Sequence, residues 1–255
     1  MGYIRLAVAI SEETALATLG KQTVTEKVVE WNGLIPRSKE IKKAGRIILD
    51  EKQVRCSRNE VILALSPMLT EKGLSLLPWE ENNKGPSRLF ERIRFFVNRK
   101  NNAVNNNSAF WSDESLLKET SEWLGPFIWN GAEKGREIID ADGLYNALTN
   151  RLGFKEKQEM DKLVPEYFTM PSGRKRLIDY SSGEPVLQIR LQDAFGITGN
   201  CSVMGVPYVF HLLSPAGRPV QITRDLIGFW KGSYADVRKD MRGRYPKHHW
   251  PEKPV

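Results

Sequence analysis

Ser57-Arg58-Asn59-Glu60-Val61-Ile62-Leu63-Ala64-Leu65-Ser66-Pro67-Met68-Leu69 is where the chain changes its period. Ser57 and Glu60 stand three apart at the head of an apolar run. This is the spacing of a capping box, in which the two side chains satisfy each other's backbone N–H at a helix start. Val61, Leu65, Met68 and Leu69 then recur at helical spacing, and Gly73 is placed to stop the helix. Pro67 lies inside the run and predicts a kink or a split, because its ring removes one N–H and crowds the carbonyl four residues back. Before Ser57 the pattern alternates. Residues 3–10, 27–31 and 46–49 are β-branched or apolar and are separated by Asn32-Gly33 and Gly45. A small barrel or sandwich over 1–56 is therefore expected.

Downstream, Ser87 predicts a second helix start, with Leu89, Ile93, Phe96 and Val97 facing inward and Arg88, Arg92 and Arg99 outward. Residues 101–108 read as an asparagine-rich polar loop. Ser112 is a good N-cap; Asp113 and Glu114 complement the helix dipole, Trp111 and Leu116 fit a hydrophobic staple, and Gly125-Pro126 ends the helix. Weaker helices are expected over 144–152 and 155–164. After Pro165 strands return over 167–170, 174–180 and 185–191. They are separated by Pro171-Ser172-Gly173 and Ser181-Ser182-Gly183, which read as hairpin turns. A further pair, 206–213 and 220–223, flanks Ser214-Pro215-Ala216-Gly217, and a helix over 225–242 closes the chain. The prediction is an α+β chain with a β-rich module over 1–56 and a mixed domain over 57–255. That domain is helical over 57–165 and hairpin-rich over 166–255, ending in an amphipathic helix.

The bulk numbers permit this. At 255 residues the chain holds one large domain or two small ones. Its 40% hydrophobic content is enough to bury a core. Cys56 and Cys201 are far apart and form neither a CxxC pair nor a disulfide framework, which fits reduced thiols in a cytosolic protein. No stretch approaches the ~18–20 apolar residues of a membrane span, so a soluble, cytoplasmic protein without a membrane partner is expected. From Ser214 onward nine Lys/Arg stand against four acids, which places five of the formal +7 charges in the last 42 residues. A basic excess gathered in one segment suggests an anionic partner, nucleic acid first, with a solvated surface as the plain alternative.

An enzyme reading must name its machinery, and the sequence offers none. GxxxxGK[ST], GxGxxG and GxSxG are all missing, so no phosphate cradle or nucleophile elbow is readable. Three histidines, His211, His248 and His249, are too scattered for a metal site, and His211 reads as a core or edge residue. Asp179 and Glu184 flank a turn, where carboxylates serve solvation. The closing helix is more informative. Leu226, Trp230, Val237 and Met241 fall on one side at ~100° per residue, while Arg224, Lys231, Arg238 and Arg242 fall on the other. A basic stripe opposite an apolar one fits a helix docked on a core and presenting charge to phosphates. Gly228 and Gly232 each weaken that helix by roughly 1 kcal/mol relative to Ala. Arg174-Lys175-Arg176, just after a tight turn, is a second basic spot. Arg218 and Arg244 complete the nucleic-acid-binding candidates. Trp111, Trp123, Trp129 and Phe127 read as core before they read as a base-stacking platform.

The tail Leu212-Leu213-Ser214-Pro215-Ala216-Gly217-Arg218-Pro219-Val220-Gln221-Ile222-Thr223-Arg224-Asp225-Leu226 resembles the C-terminal signature of HrpB-type DEAH-box helicases. The likeness continues through Phe229-Trp230-Lys231-Gly232-Ser233-Tyr234, Gly243-Arg244-Tyr245-Pro246-Lys247-His248 and Trp250-Pro251. Asp113-Glu114-Ser115-Leu116-Leu117, Glu122-Trp123-Leu124, Arg190-Leu191-Gln192 and Leu77-Pro78-Trp79 resemble that family too. The region around Val29-Glu30-Trp31 is similar to its OB-like module. The resemblance implies a non-catalytic C-terminal portion of a bacterial ATP-dependent RNA helicase. The two RecA-like motor domains would lie upstream and would bind ATP and Mg, leaving this chain without cofactor or catalytic residue. It implies RNA or single-stranded nucleic acid and the motor domains, in cis or in trans, as partners. A protein-interaction or scaffolding role is the alternative, allowed by the abundant tryptophans and the lack of an RNA-binding signature sequence.

Overall fold

The computed structural model of the chain describes residues 8–19, 23–80, 85–100, 109–128 and 136–255. The polar loop over 101–108, Trp129 and most of the first expected strand lie outside the described residues. Residues 8–10 carry no regular structure, and a helix follows, Glu12–Leu19 (α1), whose first turn is capped where Thr14 N–H donates to Ser11 Oγ at 3.2 Å.

Contacts divide the chain into two compact units, each made of two segments. The first comprises Met1–Leu77 and Leu117–Gly143. Its sheet is a three-stranded antiparallel meander of Thr23–Asn32 (β1), Ile35–Ala44 (β2) and Ile47–Val54 (β3). Two-residue turns containing Gly33 and Gly45, both at positive φ, join the strands. Strand β2 escaped the sequence reading because it holds Pro36 and a run of charges. Pro36 is tolerated in this middle strand because β3 pairing begins only at Ser38, so the strand has one neighbour at that point. Lys39, in the middle strand, reaches Glu30 at 3.0 Å and Glu51 at 2.6 Å.

Arg58–Lys72 (α2) begins as the sequence predicts: Glu60 N–H donates to Ser57 Oγ, and Ser57 N–H donates back to Glu60. Those bonds, with Lys27 at 3.2 Å, hold the Glu60 carboxyl below its ordinary range. Gly73 stops the helix at φ +85. Pro67 does not split it. Pro67 and Leu63, whose carbonyl it orphans, both lie away from the buried face, so water can take up the missing bond. Val61, Leu65, Met68 and Leu69 are buried as expected. Thr120–Trp123 (α5) follows Asp113–Lys118 (α4), and α2 packs on α5. Ser66 Oγ donates to Leu117 O at 3.0 Å, and Arg58 reaches Pro126 O at 2.8 Å.

The second unit comprises Pro78–Leu116 and Leu144–Val255. Its spine is Pro86–Lys100 (α3), with Leu89, Ile93, Phe96 and Val97 buried together with Phe90 and Phe95. Arg92 was expected to point outward; it is buried instead. Its guanidinium donates to Val164 O at 2.6 Å and to Asp161 at 2.9 Å, on or beside Phe154–Leu163 (α7). The carbonyl that α7 leaves unpaired at its end thereby gains a charged donor, a contact that helical periodicity cannot foresee. Ala141–Leu152 (α6) precedes α7 across Gly153.

Tyr167–Thr169 (β4) and Lys175–Leu177 (β5) form the first expected hairpin. The second shrinks to a single antiparallel bridge between Asp179 and Val186, because Val186–Arg190 (β6) turns to another partner. Ser202–Val203 (β7) and Val206–Pro207 (β8) make a small hairpin, whose turn puts Met204 and Gly205 at positive φ. Val209–Leu213 (β9) and Pro219–Thr223 (β10) form the hairpin around Ser214–Gly217. Strand β9 is central in a sheet of order β10-β9-β6 and pairs with β6 in parallel. The expectation of antiparallel hairpins alone is corrected there. Val209, Phe210 and Leu212 are all buried, as suits a strand covered on both faces.

Candidate nucleic-acid interface

The closing segment is two helices, Leu226–Lys231 (α8) and Tyr234–Arg244 (α9), not one. The chain breaks at Gly232, where φ −107 and ψ −102 leave helical space. Asp225 caps α8 by accepting the Gly228 N–H at 2.8 Å, and Asn200 adds a second bond at 3.2 Å. These bonds hold the Asp225 carboxyl below its ordinary range. A Cβ at position 228 would meet Asp225 Oδ2 at 2.1 Å. Gly228 is therefore the residue that admits the cap, beyond the small loss of helix propensity it causes.

The apolar side of the expected amphipathic pattern is inward. Leu226, Trp230 and Met241 are buried and Val237 is half-buried. Trp230 packs among Phe195, Phe229 and Tyr234, meeting the last edge-on at 5.2 Å, and its indole N–H donates to Ile197 O at 3.4 Å.

The basic candidates divide into two sets. Arg176 lies 2.8 Å from Asp193, which is also 3.8 Å from Arg174. Arg224 grips Glu184 with two bonds, 3.2 and 2.7 Å, and its guanidinium draws the Glu184 carboxyl down. Arg244 pairs with Asp240 at 3.0 Å, one helical turn back. Lys175, Arg218, Lys231 and Arg242 are exposed and make no ion pair among the described residues. Asp193 and Glu252 were not singled out in the sequence, and Glu184 was read there only as a solvating turn carboxylate, because their partners lie 14 to 40 residues away. Only the Asp240–Arg244 pair carried a local signal, its i,i+4 spacing.

Arg238, expected on the solvent stripe, is half-buried and occupied. Its Nε donates to Trp250 O at 3.1 Å and its Nη2 to Glu252 at 3.0 Å. Tyr234 OH donates to Pro251 O at 2.8 Å, and Gly196 N–H to Pro254 O at 2.8 Å. Together these bonds strap the last residues across α9. Arg238→Ala is expected to cost about 1–3 kcal/mol, mostly by stranding the Trp250 carbonyl. It should also speed hydrogen exchange at the Gly196 amide; unchanged exchange there would show that Arg238 does not hold the strap.

Asp179 and Glu184 turn to different partners. Glu184 meets Arg224. Asp179 lines a cavity of about 630 Å³ with Trp79, Glu80, Arg88, Glu91 and Tyr180, where burial and then Asp179 push the Glu91 carboxyl up. Both cysteines are free, Cys56 buried and Cys201 half-buried. Among the described residues no group of three His, Cys, Asp or Glu could hold a metal ion, and no helix is long and apolar enough to cross a membrane.

Fold and surface thus define a mixed region of short helices and hairpins that displays cations on its closing elements. Residues 123–254 match the family described as ATP-dependent helicase C-terminal, and the chain belongs to that family. It is 38% identical over 203 residues to the ATP-dependent RNA helicase HrpB of Escherichia coli K12, covering 78% of this chain and 24% of that protein. A crystal structure of the E. coli DExH-box NTPase HrpB superposes with a TM-score of 0.69 at 31% identity, over 97% of this chain and 30% of that one. A second, of the Escherichia coli DEAH/RHA helicase HrpB, gives 0.60 at 32% identity, over 90% and 29%. The chain spans about a quarter of the length of the curated relative it matches.

Proposed function

We propose that this chain is the non-catalytic C-terminal portion of an HrpB-type ATP-dependent RNA helicase, and that it supports the motor by holding single-stranded RNA through its phosphates. The observation that carries the reading is the set Lys175, Arg218, Lys231 and Arg242, exposed and without ion pairs among the described residues, in a family of ATP-dependent helicases. An unneutralised cation releases counterions when it meets a phosphate, whereas one already gripped by a carboxylate gains less. Arg174, Arg176, Arg224 and Arg244 thus join the interface with their charge partly met, and Arg238 braces it. The β1–β3 meander is read as part of an OB-like module. The protein is placed in the bacterial cytoplasm, with the motor domains, in cis or in trans, as the other partner.

Filter binding tests the reading. Saturable, salt-sensitive binding of a single-stranded RNA oligonucleotide by the purified chain is expected; no retention at low salt contradicts it. ATP and Mg are assigned to the motor domains, so phosphate release from ATP by this chain, with or without RNA, should equal the buffer control. A rate above that control would overturn the non-catalytic assignment.

A further inference from the structure

Of the chain's ten phenylalanines, Phe110 and Phe154 alone are exposed, at 41% and 77%. Leaving a phenyl ring in water forgoes its burial free energy, and one of these two rings holds a cation against its face. Arg151 is that cation. Its guanidinium carbon sits 3.8 Å from the Phe110 ring centroid and 5.6 Å from that of Trp111. Bonds to Phe110 O at 2.9 Å and Ser115 Oγ at 3.3 Å fix it there. Trp111 is buried and meets Phe110 edge-on, with centroids 5.9 Å apart. Arg94, on α3, pins the Trp111 carbonyl at 3.2 Å. The Phe110 ring therefore stands on a rigid support while part of it stays in solvent.

Phe154 follows Arg151 by three residues in the chain. Gly153, at φ +86, ends α6 and lets α7 begin one residue later, so Phe154 occupies the first helical position. Chain connectivity keeps its Cα within ~11 Å of that of Arg151. The next residue, Lys155, is exposed and makes no ion pair among the described residues.

We propose that Phe110, Arg151 and Phe154 form a stacking station for unpaired bases of a single RNA strand, with Lys155 beside it for the backbone. The assignment rests on the reading that this chain binds single-stranded RNA, and it adds a base contact to the phosphate contacts of the closing helices. Aromatic rings interleaved with cations are the chemistry of single-strand binding: a base offers a π-face to phenyl or guanidinium, and its phosphate meets lysine.

The test is fluorescence anisotropy with a 12-nucleotide oligoadenylate and with an abasic strand of equal length. The variants are Phe110→Leu with Phe154→Leu, which keep apolar bulk and lose the π-faces, and Phe110→Trp with Phe154→Trp, which keep both. The leucine pair should weaken oligoadenylate binding roughly 5- to 100-fold per ring, leave the salt dependence unchanged, and bind the abasic strand as wild type does. The tryptophan pair should bind at least as well as wild type. Wild-type affinity for oligoadenylate in the leucine pair would overturn the station, leave the phosphate reading standing, and assign the exposed rings to a protein contact. Failure of wild type to bind either strand would overturn both.

Discussion

Trp230→Ala is expected to cost about 3–5 kcal/mol of folding stability, the range for removing a buried aromatic side chain. The indole lies among Phe195, Phe229 and Tyr234 and donates to Ile197 O, so truncation opens a cavity and strands a carbonyl at once. At roughly 2–4 °C per kcal/mol for a chain of this size, the melting temperature should fall by roughly 6–20 °C. Trp230→Phe keeps a ring in the cluster and should cost less than half as much. Calorimetry on the three proteins checks this; a shift for Trp230→Ala within a degree of wild type would mean that α8 does not dock as described.

The second large effect is on binding. Replacing Lys175, Arg218, Lys231 and Arg242 together by Ala should weaken single-stranded RNA binding by roughly 10- to 200-fold near 0.15 M salt, if most of the four meet phosphates. The weakening should be similar for different sequences, because phosphate contacts carry no sequence information. Stability should stay within about 0.5 kcal/mol, since none of the four is buried or ion-paired among the described residues. The grouping matters: a set including Arg238 would confound binding with release of the C-terminal strap.

Much of the fold was legible because its signals are local. The capping box at Ser57 and Glu60, the stop at Gly73 and the Pro171-Ser172-Gly173 turn each lie within a few residues and form as read. What could not be read depends on distant partners. Strand β6 leaves its expected hairpin for a parallel place beside β9, more than twenty residues on. The inward turn of Arg92 depends on a carbonyl that α7 orphans 72 residues away. The candidate interface shows the same division. Periodicity placed Leu226, Trp230 and Met241 inward, but whether an arginine is free or gripped depends on Asp193, Glu184 and Glu252, which no spacing rule connects to it. Gly228 looked like a weakness of the closing helix; beside Asp225 it is the opening that the helix cap needs.

The most direct test of phosphate binding by these elements is the dependence of RNA affinity on salt. Wild type and the Lys175, Arg218, Lys231 and Arg242 variant should each give a straight line of log affinity against log salt. The variant's line should be shallower by ~0.7 for each phosphate it no longer neutralises, so by up to ~2.8. Two parallel lines would contradict phosphate binding here, because they would show that these four cations touch no phosphate.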